Sequence, residues 1–180
     1  MIRFCSVCGS AVSERIPPGD NRMRAVCDTC GHIHYQNPRI VAGCLPVWGD
    51  RILLCKRAIE PRYAKWTLPA GFMENGESAA EGAAREALEE ANAKVEITDL
   101  YTVYSVPHIS QVYMMFLARL TDPDVSPGTE SLEVKLATAD EIPWDQLAFT
   151  MVRRTLEHFL EDRKNGLFVP RFGDIRPPLR

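Results

Sequence analysis

The chain has 180 residues, with 21 Lys and Arg against 24 Asp and Glu and a formal net charge of −3. That balance argues against nucleic acid as the main partner, because binding a phosphate backbone usually shows as a basic excess. No run of about 18 apolar residues is present, so a membrane-spanning helix is not expected. A hydrophobic fraction of 46 % suffices for one medium domain plus a small appendage.

Met1-Ile2-Arg3-Phe4-Cys5-Ser6 holds no apolar stretch of leader type. A cytoplasmic protein is therefore expected, and its six cysteines are then metal ligands or free thiols rather than disulfides. Residues 1–35 hold four of them, as Cys5-x2-Cys8 and, 18 residues on, Cys27-x2-Cys30. Each CxxC turn points two thiolates at one spot, and four thiolates close a tetrahedron with no open position. The reading is a structural Zn2+ ribbon. Gly9 and Gly31 follow the second cysteine of each pair, where a knuckle needs positive φ. Such a ribbon folds a segment too small to hold its own core. Its few basic residues, chiefly Arg22 and Arg24, give no sign of nucleic acid. It is suited to docking on the main domain or on a second subunit, and a homodimer is one expectation. His32 and His34 read as surface or interdomain residues.

Residues 36–165 read as a mixed α/β domain. Arg39–Trp48 and Arg51–Lys56 are β-branched, apolar runs across Gly49-Asp50, the pattern of a hairpin. Cys44 and Cys55 lie inside them as small buried apolar residues. Ser78-Ala79-Ala80-Glu81 is a capping box that starts a helix at Ser78. At about 100° per residue, Ala80, Ala84, Ala87, Leu88 and Ala91 share one face of it. Glu86, Glu89 and Glu90 then fall on the opposite face within an arc of roughly 100°. Gly82 lies on the carboxylate side, one turn earlier, as space for phosphates. Three crowded carboxylates without interspersed lysines read either as a solvated acidic face or as oxygen ligands for hard divalent cations such as Mg2+ or Mn2+. The Gly71–Glu77 loop, Gly-rich and leading straight into the helix, favours the second. Lys94–Val106, Gln111–Leu120 and Leu132–Leu136 follow as strands, with loops at Pro107-His108 and Thr121–Gly128. Thr138–Leu147 and Met151–Arg163 are helical by pattern, and residues 166–180 are a C-terminal tail.

The stretch Gly71 to Ala93 resembles the Nudix box, G-x5-E-x7-R-E-U-x-E-E-x-G-U, where U is apolar. Gly71, Glu77, Arg85, Glu86, Glu89 and Glu90 match at every spacing, with Ala87 and Ala93 at the apolar positions. Asn92 stands where the family has Gly, and it tolerates the left-handed conformation a helix end wants. The resemblance implies a Nudix α/β/α sandwich with a mixed sheet, preceded by the zinc ribbon. It implies a hydrolase in which Glu86, Glu89 and Glu90 bind Mg2+ or Mn2+ and Gly71 offers its carbonyl. Arg85 holds Glu77 or a neighbouring acid by a charge-assisted pair. The general base is Glu86 or, as in similar enzymes that cut ADP-ribose, a later acid: Glu130 or Glu133.

A zinc ribbon before a Nudix domain also occurs in NADH pyrophosphatases. Their Ser-Gln-Pro-Trp-Pro-Phe-Pro run is replaced here by Tyr104-Ser105-Val106-Pro107-His108-Ile109-Ser110-Gln111-Val112-Tyr113. Tyr35-Gln36-Asn37-Pro38, Leu54-Cys55-Lys56-Arg57, Trp66-Thr67-Leu68-Pro69-Ala70-Gly71, Pro127 to Glu133 and Glu141-Ile142-Pro143 resemble the plant chloroplast FAD pyrophosphatase branch. That likeness implies a dinucleotide substrate, FAD cut to FMN and AMP, with ADP-ribose as a second. Tyr35, Trp66, Tyr104 and Tyr113 are candidates to wall a ring. Lys56 and Arg57 are candidates to neutralise phosphate, and His108 to meet the substrate. The rivals are an NADH pyrophosphatase and a zinc-ribbon regulator that senses nucleotides without cutting them.

Overall fold

The computed structural model describes residues 2–177 and divides between Asn37 and Pro38 into two compact units. The first carries β1 (Val12–Arg15), β2 (Arg24–Cys27) and β3 (Ile33–His34), an antiparallel sheet in that order. Gly9 and Gly31 have φ of 74° and 71°, as the knuckle turns require. None of its three strands stands out in the sequence, because each is only two to four residues long.

The second unit comprises β4 (Arg39–Trp48), β5 (Arg51–Arg57), β6 (Trp66–Thr67), β7 (Ala70–Phe72), α1 (Ala79–Ala91), β8 (Val95–Val106), β9 (Gln111–Leu120), β10 (Ser131–Ala137), α2 (Thr150–Asn165) and β11 (Arg171–Asp174). Its sheet runs β10-β5-β4-β9-β8-β11. The β4–β9 and β8–β11 pairs are parallel, and β4–β5, β5–β10 and β8–β9 are antiparallel. Alternation along the strands sends side chains to two cores. Ala42, Cys44, Leu53 and Cys55 meet α1 through Ala83, Ala87 and Ala91. Leu45, Ile52, Leu54 and Met115 meet α2 through Val152, Leu156 and Phe159. This is the expected α/β/α sandwich on a mixed sheet. Among the described residues no helix is long and apolar enough to cross a membrane.

One irregularity places the site. β4 and β5 are paired at the hairpin end, Val47 with Ile52 and Trp48 with Arg51. Beyond it β7 takes the place beside β4, and β6 the place beside β5. The two strands fork, and the short chain from Trp66 to Phe72 fills the fork. Neither β6 nor β7 is long enough to be read from the sequence.

Three expectations need correction. Thr138–Leu147 is not one helix but two 3-10 turns, Ala139–Glu141 and Trp144–Gln146. Pro143 lacks an N–H and pushes Ile142 out of helical ψ, to 122°. The expected tail supplies an edge strand, because Arg171–Asp174 pairs with Thr102–Ser105 of β8. The helical wheel of α1 is rotated from the expectation. Gly82, Ala83, Glu86, Ala87, Glu90 and Ala91 are buried, while Leu88 is 48 % exposed. The sheet therefore covers the edge on which Glu86 and Glu90 stand, and Leu88 faces away.

Candidate active site

The capping box forms as expected: the Ser78 side chain accepts from the Glu81 N–H, and the Glu81 carboxylate accepts from the Ser78 N–H at 2.7 Å. The helix ends at Asn92 with φ 48°, the left-handed residue anticipated there. Between these ends, α1 aims Glu86 and Glu90 at the fork in the sheet. Glu86 lies so close to Gly71 that a Cβ on residue 71 would collide with its carboxylate. The Ala70 amide faces the carboxylate of Glu90.

Arg85 ties the loop before the helix to the helix itself. Its Nε and Nη2 donate to the two oxygens of Glu77 at 3.0 and 2.9 Å. Nη2 also donates to the Phe72 carbonyl at 3.1 Å, and Nη1 to Glu86 and Glu89 at 2.8 and 3.0 Å. The Arg85 guanidinium, with the Glu74 amide, holds the Glu77 carboxyl down at about 2. A Cβ at Gly82 would stand 2.7 Å from Glu77 Oε1. Gly82 thus makes room for that acid, not for phosphates as expected from the wheel.

The other carboxylates are held differently. Burial pushes the Glu90 carboxyl up to about 8, and the neighbouring Glu86 adds to the rise. Burial also raises Glu86, against the pull of Arg85. Glu130 lines the same cavity as the pair, and its charge adds to both shifts. Two buried acids, an exposed third in Glu89 and a fourth in Glu130 on the same cavity form an excess of hard oxygen donors. Arg85 is already engaged. That donor set fits a divalent cation.

A cavity of about 780 Å³ opens over these groups on the α2 side of the sheet. Glu86, Glu89, Glu90, Arg85, Gly71, Arg57, Glu130 and Tyr113 line it. Glu77 stands behind Arg85. The other expected residues lie elsewhere. Trp66 is 6 % exposed in the α2-side core. Lys56 lies over the Trp66 ring and pairs with Glu133 at 3.3 Å, outside the cavity wall. His108 is exposed on a 3-10 turn whose next residue, Ile109, reaches the cavity instead. Tyr104 is buried beside Val106, Met151 and Ile175. Tyr35 belongs to the ribbon unit, exposed and covered by the Arg24 guanidinium at 5.1 Å.

Sequence reasoning missed much of the far wall. Arg39 lies on the Phe72 ring at 4.2 Å, and Arg57 over Phe149 at 5.3 Å. Gln111 stands beside Arg39 in the parallel β4–β9 register, its Oε1 accepting from the Tyr113 hydroxyl at 3.0 Å. Arg39 and Val41 share a strand face by period two, and so do Gln111 and Tyr113. That parity was available, but the parallel pairing joining the two sets was not.

In the ribbon, Cys5, Cys8, Cys27 and Cys30 bring their sulfurs within 4.8 Å of one another. Cys5 and Cys27 are buried and Cys8 and Cys30 exposed. Four clustered thiols fit a structural zinc with no open position. Cys44 and Cys55 are free and buried, as expected.

Fold and site together define a mixed-sheet α/β/α protein with a cluster of acidic side chains lining one cavity. The NUDIX domain model matches residues 37–162, and a zinc-ribbon model described as Nudix N-terminal matches residues 3–36. The chain belongs to the NUDIX domain family. It is similar to a NUDIX hydrolase from Nitrosomonas europaea of known crystal structure, at 55 % identity and a TM-score of 0.95 over 98 % of this chain and 100 % of that one. It is 33 % identical over 146 residues to the NAD-capped RNA hydrolase NudC of Photobacterium profundum, covering 78 % of this chain and 51 % of the relative. The chain spans about half the length of the curated relatives it matches. An ADP-ribose pyrophosphatase from Streptococcus suis shares the fold, with a TM-score of 0.60 at 20 % identity over 76 % of this chain and 99 % of that one.

Proposed function

We propose that this protein is a metal-dependent pyrophosphohydrolase that cuts the diphosphate bond of a dinucleotide or nucleotide sugar. FAD, giving FMN and AMP, and ADP-ribose, giving AMP and ribose 5-phosphate, are its substrates. The observation that carries the reading is the convergence of Glu86, Glu89, Glu90 and Glu130 on one cavity. Glu86, Glu89 and Glu90, with the Gly71 carbonyl, would hold Mg2+ or Mn2+. Such an ion, when bound, neutralises charge on the non-bridging phosphate oxygens. Arg85 fixes the directions of Glu86 and Glu89, and Glu77 fixes Arg85.

Glu130 takes a proton from the attacking water. Its oxygen bonds to one phosphorus, the bridging P–O bond breaks, and the leaving phosphate departs as the anion. Glu130 is preferred over Glu133 because Glu133 is paired with Lys56 outside the cavity. Arg57 and Arg39 offer the substrate's anionic groups partners not spent on carboxylates, for neither has an ion pair among the described residues. Phe72, Ile109 and Tyr113 supply apolar wall for a ring.

A second reading has support in the curated relatives, which are named NAD-capped RNA hydrolases. It brings NADH and a capped RNA into the substrate range despite the acidic charge of this chain. Hydrolysis of FAD, ADP-ribose, NADH and NAD-capped RNA is to be compared with Mg2+ and with Mn2+. FAD and ADP-ribose are expected to turn over fastest. Preference for NADH or the capped RNA would replace the FAD reading. No turnover of any of the four would leave a nucleotide-sensing regulator.

A further inference from the structure

Asn92 ends α1 with φ 48° and ψ 27°. Glycine adopts that conformation at lower cost, so stopping the helix does not by itself account for an asparagine. The side chain reaches across to the segment between β9 and β10. Its Nδ2 donates to the Ser126 carbonyl at 3.2 Å and to Ser126 Oγ at 3.1 Å. Two backbone bonds reinforce the join: Ser126 N–H to Ala91 O and Gly128 N–H to Glu90 O, both 3.0 Å. At Gly128 a Cβ would run into the Glu89 carbonyl oxygen, so the segment lies flat on the last turn of α1. Two residues further on, Glu130 lines the cavity, and its carbonyl accepts from the Ala58 N–H at 2.8 Å.

This places two sets of acids on two pieces of chain. Glu86, Glu89 and Glu90 ride on a helix. Glu130 rides on residues 121–130, which contain no helix or strand. Like charge drives the two sets apart. A last helical turn frays, and backbone bonds to it open with it. The Asn92 amide spans that weak point.

We propose that Asn92 is a positioning residue: it brackets the 121–130 segment to the end of α1 and so sets where Glu130 stands relative to the α1 carboxylates. The inference rests on the reading above, in which Glu130 takes the proton of the attacking water. Asn92→Gly keeps the left-handed helix end and deletes every hydrogen bond of the side chain, including a longer one to the Pro127 carbonyl at 3.5 Å. FAD and ADP-ribose hydrolysis with Mg2+ is measured for the wild type, Asn92→Gly, Glu130→Gln and the double variant.

In Asn92→Gly, kcat falls about tenfold with KM within about twofold, because a displaced catalytic group loses rate rather than ground-state binding. The amide hydrogens of Ser126 and Gly128 exchange faster. In the Glu130→Gln background the same change adds no further loss, since both act through one group. An equal further loss in that background, unchanged kcat in Asn92→Gly, or unchanged exchange at Ser126 and Gly128 overturns the role of Asn92 and leaves that of Glu130 intact. Glu130→Gln at the wild-type rate removes Glu130 from the reaction and this inference with it.

Discussion

Glu89 and Glu90 sit one residue apart on α1 and live in different media. The Glu89 side chain is 58 % exposed, whereas Glu90 is 7 % exposed with a carboxyl pushed up to about 8. Replacing each by Gln therefore separates catalysis from stability. Both changes lower kcat by several orders of magnitude if both carboxylates hold the metal. Glu90→Gln also removes a group whose ionised form burial disfavours, so with EDTA it melts at or above the wild type. Glu89→Gln melts at the wild-type temperature. Adding Mg2+ raises the wild-type melting temperature through binding to the native state alone, and raises that of Glu90→Gln less. Near-normal turnover in either variant, or a Glu90→Gln protein that melts below wild type in EDTA, rejects the assignment. On the opposite wall, Arg39→Ala uncovers Phe72 and removes a cation, and KM is expected to rise about tenfold, the equivalent of roughly 1.4 kcal/mol of uniform binding. A fall in kcat at unchanged KM would place Arg39 in the chemistry instead. The acids were legible because a carboxylate every third or fourth residue is a pattern within one helix. Arg39, Phe72 and Gln111 meet only through the parallel β4–β9 pairing and the fork, which no local pattern announces.

Among the elements, the long ones were read and the short ones were not. The β4–β5 hairpin, β8, β9 and α2 each carry enough alternating or periodic residues to declare themselves. The wheel of α1 erred because apolar size was used to choose the buried face. Alanines on a sheet-facing stripe let the helix approach closely, and the fork accepts two carboxylates beside them. β11 was hidden because Arg171-Phe172-Gly173-Asp174 has no strand-like composition. It is held by one buried cluster: Arg171 donates to both oxygens of Asp162, at 2.5 and 2.6 Å, and the Tyr101 hydroxyl donates to the same carboxylate at 2.8 Å. The Arg171 guanidinium beside it holds the Asp162 carboxyl well below its ordinary value. A depressed carboxyl contributes stability above the unfolded value of 3.8 and loses it as pH falls below that. Arg171→Met strands a carboxylate that is 4 % exposed. The cost is about 3–5 kcal/mol, or roughly 10 °C in Tm. The wild type loses melting temperature as pH falls below the carboxylate range, and Asp162→Asn loses less over the same span, with Glu77 keeping part of that limb. Thermal melts across pH decide it: an acid limb as steep in Asp162→Asn as in the wild type, or an Arg171→Met protein as stable as wild type, shows that β11 is held by something else.

At the scale of the molecule, the two units differ in what keeps them folded. The unit from Pro38 has two cores of its own, one under each helix. The ribbon has almost none: Cys5, Val26 and Cys27 are its buried hydrophobic residues, and Phe4, Val7, Ile16, Met23 and Tyr35 are exposed. Its strands of four, four and two residues cannot offset the entropy of ordering the chain by apolar burial alone. Metal–thiolate bonds must supply the difference, which makes ribbon folding and zinc binding one event. Removing zinc with a strong chelator, or Cys8→Ser, is therefore expected to abolish amide-exchange protection across β1–β3. The cooperative melt of the larger unit and the protection of β4, β8 and β9 should persist. If the larger unit unfolds with the ribbon, the two are thermodynamically one body, and zinc supports the catalytic cavity as well. If the ribbon keeps its protection without metal, contacts other than the four thiolates hold it.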